Sequence, residues 1–215
     1  MSKYLDVIGR YRDGRIIYYV REDTPMIGYI AFGVIDRGTN VLQVRPTTIC
    51  PLNCIFCSVD AGPFSRHRWA EYIVDPKPIV ETVEYAVGVK GYGLEALIDT
   101  IGDPLTYPWI VELVRDLKSV DGVSSVALET HGALLTYRLV DRLEKAGLDR
   151  VNLSIETLDP VKARYLQGVQ WYDVRRVMEV ARYIVENTSI DLHVTPLWTV
   201  SYTHLRAHET EADLV

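Results

Sequence analysis

The sequence has no fourth cysteine. Three are present in 215 residues, and all fall within Cys50-Pro51-Leu52-Asn53-Cys54-Ile55-Phe56-Cys57, at a C-x3-C-x2-C spacing. Three crowded thiols make poor disulfide material, which excludes a disulfide-built scaffold. They also fall short of the four cysteines with which a ferredoxin-type electron carrier saturates its cluster. No apolar run reaches the roughly 18 residues that suggest a transmembrane helix, and no basic-then-apolar stretch opens the chain as a secretory signal would. The expectations are therefore no membrane and a cytoplasmic, reducing setting. Positive charge is short as well: 23 Lys and Arg against 29 Asp and Glu give a formal net charge of -6. That balance argues against a broad nucleic-acid footprint and leaves room for a local basic patch.

What is present suits an ordinary globular protein, at 48% hydrophobic and 24% charged residues, with apolar material for one sizeable core. Residues 1–38 read as a small β-rich extension. Tyr4-Leu5-Asp6-Val7-Ile8 and Ile16-Ile17-Tyr18-Tyr19-Val20 flank an Asp13-Gly14 turn, a hairpin signal, and residues 28–34 read as a third strand. No catalytic spacing occurs there.

A strand-helix rhythm fills residues 39–199. The strand Val41-Leu42-Gln43-Val44 runs into the cysteine loop. A helix near 76–88 follows, with Ile79, Val80, Val83 and Val87 on one face. A second strand is expected over 94–101, then a helix with the face Ile110, Val111, Val114 and Leu117. Residues 123–129 make a third strand, followed by a helix capped by Thr136 and stopped by Gly147. Val151, Leu153 and Ile155 mark a fourth strand. Val174, Val177, Met178, Ala181, Ile184 and Val185 keep helical spacing, and 190–197 reads as the fifth strand. This alternation predicts an α/β fold, a partial (β/α)6 TIM-like barrel of parallel strands with about five strands present. Residues 200–215 break the rhythm. They resemble a translated sequencing-adapter run and are expected to be unrelated to the fold, which sets aside His204 and His208 as an i, i+4 zinc pair.

In such barrels the reactive site lies at the carboxyl ends of the strands, where every polar motif falls. The cysteine loop follows the first strand, Gly102-Asp103-Pro104 the second, Glu129-Thr130-His131-Gly132 the third, and Ser154-Ile155-Glu156-Thr157 the fourth. Strand alternation puts Asn152, Ser154 and Glu156 on one face, the barrel interior. Thiolates select iron-sulfur clusters or zinc. A zinc site would need a fourth ligand such as His67, ten residues past Cys57. The bland readings are a turn for Gly-Asp-Pro, a structural role for His131, and solvated surface for Arg66, His67 and Arg68, whose other use would be a substrate phosphate.

C-x3-C-x2-C with an aromatic just before the last cysteine, here Phe56, resembles the signature of the radical S-adenosylmethionine superfamily over residues 40–198. The resemblance implies a [4Fe-4S] cluster held by Cys50, Cys54 and Cys57, with S-adenosylmethionine chelating the fourth iron and Phe56 along the adenine. Gly102-Asp103-Pro104 is similar to the family's Gly-Glu-Pro segment at the methionine amino group, with Asp103 departing from glutamate. Glu129-Thr130-His131-Gly132 is similar to Glu-Thr-Asn-Gly, with His131 departing from asparagine, and Asn152, Ser154 and Glu156 match the segment that meets the ribose. The implied reaction is reductive cleavage of S-adenosylmethionine to a 5′-deoxyadenosyl radical that abstracts hydrogen from a substrate. It needs a low-potential electron donor of ferredoxin or flavodoxin type. RNA, a peptide or a small molecule would all serve as substrate. The reading from another class is a non-catalytic metal-binding scaffold or nucleic-acid adaptor.

Overall fold

The computed structural model describes residues 4–196, apart from 12, 28 and 92. Its main sheet has six strands in the order β3-β4-β6-β7-β8-β9: Gly33–Asp36, Val41–Arg45, Leu94–Ile98, Val123–Thr130, Arg150–Leu153 and Asp191–Val194. The last five run parallel, as expected, and β3 is an antiparallel edge. The barrel is open among the described residues.

Each crossover supplies a helix: α1 Pro76–Lys90, α2 Ile110–Lys118, α3 Tyr137–Lys145, and then the pair α4 Pro160–Leu166 and α5 Val174–Asn187. Alternation along the strands sends Leu42, Val44, Ala96, Ile98, Val126, Leu128, Val151 and Leu153 to one face, all buried. The helices answer with Ile79 and Val83, Leu113 and Leu117, Val140 and Leu143, and Val177 and Ile184, also buried. Burying such side chains stabilises the layer by about 1.5–3 kcal/mol each. The opposite face carries Gln43, Arg45, Glu95, Asp99, Glu129, Arg150 and Asn152, the polar interior of the open barrel.

Helix starts follow a repeated device. Asp75 precedes Pro76 and accepts from the Lys77 amide, Asp159 precedes Pro160 and accepts from Val161 and Lys162, and Asp103 precedes Pro104 and accepts from Leu105 to open a 3-10 turn over Pro104–Thr106. Proline fits the first turn because its missing N–H has no partner to lose there. Thr136 caps α3 by accepting from Leu139, and Gly147 follows the helix at φ 93, as expected.

Four strand expectations need correction, one of them the fourth parallel strand, expected through Ile155, which ends at Leu153 and leaves Ser154 and Glu156 beyond it. The strand expected at 28–34 is Gly33–Asp36, and it pairs with β4 rather than with the hairpin. The hairpin, β1 Leu5–Arg10 and β2 Ile16–Val20, takes its third strand from Ala70–Val74, β5, which lies parallel to β2 after the cysteine loop. The strand expected over 94–101 ends at Ile98, because the chain then turns and the Asp103 amide donates to the Ile49 carbonyl across the sheet end. The fifth strand, expected over 190–197, is observed over Asp191–Val194, with residues 190, 195 and 196 described outside it and residue 197 and the 200–215 segment outside the described residues.

Candidate metal centre

The cysteine loop leaves the carboxyl end of β4 and is held from three sides by backbone packing. A Cβ on Gly102 would sit 2.0 Å from the Ile49 carbonyl oxygen, one on Gly62 2.0 Å from that of Leu52, and one on Gly168 1.8 Å from that of Asn53. Only glycine admits such an approach, and Gly62 and Gly168 also have positive φ, 113 and 65. Two ladder-like bonds add to this: the Asn53 amide donates to the Gln167 carbonyl and the Ile55 amide to that of Leu166, each at 2.9 Å. The loop is thus sewn to the end of α4.

Beside the loop lies a buried ion network. Glu71 on β5 is 1% exposed. It accepts from Arg15 at 2.8 Å, from Arg68 at 2.7 Å and 3.1 Å, and from the Thr48 hydroxyl at 2.6 Å. Arg15 also donates to the Gly62 and Pro63 carbonyls at 3.0 and 3.2 Å. Hairpin, β5 and both flanks of the cysteine loop are thereby one unit. No short-range pattern signals it, since Arg15 and Glu71 lie 56 positions apart.

The three cysteines are half-buried and free. Burial pushes the Cys50 thiol up to about 12, and burial and then the neighbouring Cys50, Cys57 and Glu156 charges raise Cys54. The sulfurs therefore feel one another, and a metal binding there must displace thiol protons. No three His, Cys, Asp or Glu side chains gather as a single-ion cage among the described residues. A cluster makes a different demand: each thiolate holds its own iron, so a spread set of three soft ligands on one loop fits it. His67, the fourth ligand a zinc site would need, instead contacts Asp60 at 2.9 Å and its side chain is 83% exposed.

Around the loop the structure brings several expected residues together. The Phe56 ring stands 6.2 Å from that of His131, centroid to centroid. His131 Nδ1 is 3.2 Å from the Ser154 carbonyl oxygen and 3.7 Å from Glu156 Oε1. Asp103, 1% exposed, accepts from the Thr130 hydroxyl at 2.8 Å, and Thr130 in turn accepts from the Gly132 amide at 3.0 Å. Burial raises the Asp103 carboxyl above its ordinary value. Its side chain ties the second strand end to the third, so Gly102 supplies close approach, Pro104 the helix start and Asp103 the brace.

Other expected residues lie along the open face. Asn152 accepts from Arg150 at 3.0 Å, and Arg150 pairs with Glu95 at 2.6 Å. The Ser154 hydroxyl shares a bond with Thr195 at 3.3 Å. Glu129, beside Asn152 in register, is raised by burial and then by the Asp99 charge.

Sequence reading passed over Gln167, which is 1% exposed. Its Oε1 accepts from the Cys54 thiol at 2.7 Å while its Nε2 donates to Glu156 at 2.6 Å. The helix-start signal Asp159-Pro160 would have placed a short helix before it; nothing in the sequence marks the glutamine itself.

Comparisons agree with this geometry. The radical SAM superfamily profile matches residues 44–205. An uncharacterised protein of Methanocaldococcus jannaschii is 42% identical over 182 residues, 83% of this chain and 42% of the relative. The GTP 3',8-cyclase of Peptoclostridium acidaminophilum is 35% identical over 131 residues, 60% of this chain and 38% of the relative. The chain thus spans about two-fifths of the length of these relatives. Among solved structures, BtrN in complex with AdoMet and 2-DOIA superposes with a TM-score of 0.54 at 13% identity, covering 75% of this chain and 58% of that one. Streptococcus suis SuiB bound to S-adenosylmethionine gives 0.50 at 20%, covering 83% and 47%. These two likenesses are of fold. Cysteine loop, parallel sheet and profile match together place the chain in the radical SAM superfamily.

Proposed function

We propose that the chain forms the part of a radical SAM enzyme that holds a [4Fe-4S] cluster on Cys50, Cys54 and Cys57 and S-adenosylmethionine beside it. The observation that carries this is the cysteine loop itself, three free thiols at the carboxyl edge of a parallel sheet, held by Gly62, Gly102 and Gly168. Bound there, the cluster supplies the electron that cleaves the S-adenosylmethionine sulfonium to methionine and a 5′-deoxyadenosyl radical.

The chain's own groups then have defined work. The strand end at Gly102-Asp103-Pro104 offers carbonyls to an ammonium, Phe56 and His131 flank a flat ring, and Glu129, Asn152, Ser154 and Glu156 offer acceptors to hydroxyls. Thr130 holds Asp103 in place and faces the buried side of its strand. An external low-potential donor, of ferredoxin or flavodoxin type, fits a rim beside the loop where Ile55, Phe64 and Trp69 are exposed, Trp69 at 88%, next to Arg66 and Arg68. No helix among the described residues is long and apolar enough to cross a membrane. A purine nucleotide is the first substrate to try, from the activity named for the cyclase relatives. The open face pairs Arg150 with Glu95 and Gln43 with Asp99. That lining suits a polar substrate bound by hydrogen bonds, so an RNA base, a peptide and other small molecules follow in the same assay.

The test is iron and acid-labile sulfide analysis after anaerobic reconstitution, beside a Cys50, Cys54 and Cys57→Ala triple variant. About four irons per chain, absent from the variant, together with reductant-dependent 5′-deoxyadenosine, are expected. Zinc without sulfide would turn the reading to a metal-binding scaffold.

A further inference from the structure

Gln167 occupies a position where packing alone would ask for an apolar side chain. It is fully enclosed, its backbone carbonyl holds the Asn53 amide, and its side chain spans from Cys54 to Glu156. With Cys54 as a thiol the bonds run in one direction: the S–H donates to Oε1, and Nε2 donates to Glu156 Oε2, with His131 Nδ1 3.4 Å from Nε2. A metal-bound thiolate carries no proton and can only accept. The present orientation would then press the amide oxygen, also an acceptor, against the sulfur. A buried acceptor facing an acceptor loses a hydrogen bond and leaves both groups desolvated.

The amide has a second orientation. A half-turn about its last side-chain bond exchanges Oε1 and Nε2 without moving the carbon frame. Nε2 then faces Cys54 and Oε1 faces Glu156. In that orientation Oε1 also comes within reach of His131 Nδ1, a ring nitrogen 3.4 Å from the amide that can donate to it. Glu156 Oε1 is buried without a hydrogen-bond partner, with His131 Nδ1 3.7 Å away.

We propose that Gln167 is a positioning residue for the metal-loaded protein, turning its amide to donate Nε2–H to the Cys54 thiolate and thereby raising the reduction potential of the cluster. This rests on the reading that Cys54 holds a cluster iron. Hydrogen bonds to cluster sulfurs are among the settings of the potential, because they favour the more negative, reduced state. The same amide links the sulfur to Glu156, so a ligand taken up at Glu156 would be felt at the cluster.

The experiment compares wild type, Gln167→Met and Gln167→Glu after anaerobic reconstitution, with iron and sulfide content and a redox titration followed by electron paramagnetic resonance. Gln167→Met keeps the length and removes the donor; Gln167→Glu keeps the shape and adds charge. At full iron content the expected result is a more negative potential in the Met variant, by about 59 mV for a tenfold loss of reduced cluster at a fixed poise, and a larger shift in the Glu variant. Unchanged potentials in both would overturn the proposal. So would loss of iron from the Glu variant with native circular dichroism, which would make Gln167 part of the scaffold that holds the ligands. Failure of the wild type to take up iron and sulfide would be a different result, removing the cluster reading itself.

Discussion

Two buried polar side chains hold the cysteine loop, and they are built differently. Glu71 is ionic and saturated: both oxygens are used, by two arginines and a threonine, in bonds of 2.6–3.1 Å. Gln167 is neutral, reaches a sulfur, and hands its other end to a glutamate that keeps one oxygen unpartnered. A saturated network has one low-energy arrangement and fixes the loop. An amide between two groups that can each change protonation has two arrangements. The Glu71 network is therefore a mount, and Gln167 is a contact with two settings.

Removing the mount has the largest expected effect. Glu71→Ala leaves Arg15 and Arg68 buried beside the loop without their carboxylate, and breaking a buried pair costs about 3–5 kcal/mol; denaturant unfolding of the variant checks it. Arg15 keeps Asp13 at 2.8 Å, which places the loss at the lower end. Next comes Gly168→Ala. Its φ of 65 and the Asn53 oxygen 1.8 Å from the new Cβ require the α4 end and the loop to separate. The left-handed conformation alone costs about 1–2 kcal/mol, and iron uptake is expected to fall before global stability does. Gln167→Met should lower stability by about 1–3 kcal/mol, through the partners it leaves on Glu156. A loss as large as that of Glu71→Ala would erase the distinction drawn above.

The smallest effect concerns Asp60, which orders the stretch after Cys57 by accepting from Ser65, from the Arg66 and His67 amides and from the His67 ring. These bonds, led by the Arg66 amide, hold its carboxyl down at about 2 against 3.8. A depressed carboxyl contributes order above its ordinary value, and that order is lost as pH falls through the depressed one. Hydrogen-exchange protection at Arg66 and His67 should thus survive at pH 4 and disappear toward pH 2. Asp60→Asn should remove part of it at neutral pH without changing the unfolding midpoint.

Legibility in the sequence divides along the same line. Period-2 and period-3.6 patterns revealed the parallel strands and the faces of α1, α2 and α5, because each pattern is written in consecutive residues. Cys50, Cys54 and Cys57 declared themselves by spacing. The strand Ala70–Val74 did not, because its partner β2 lies more than 50 positions earlier and no short-range signal connects them. Gly62 and Gly168 drew no reading from the sequence, because their use as points of backbone contact depends on a neighbour brought in by the fold. Asp103 was legible as part of a turn and as a member of the site; its bond to Thr130 shows how it serves both.

The seam between the loop and α4 also bears on how the protein comes to exist. Cys54 and Gln167 are 113 positions apart, so the last wall of the cysteine loop is made by chain that leaves the ribosome well after the cysteines do. Contacts of such sequence separation form late, once the loop-closure entropy has been met by the strands between them. During synthesis the three thiols precede the enclosure that will shield them, and that enclosure waits on arrival of the fourth strand and the short helix behind it.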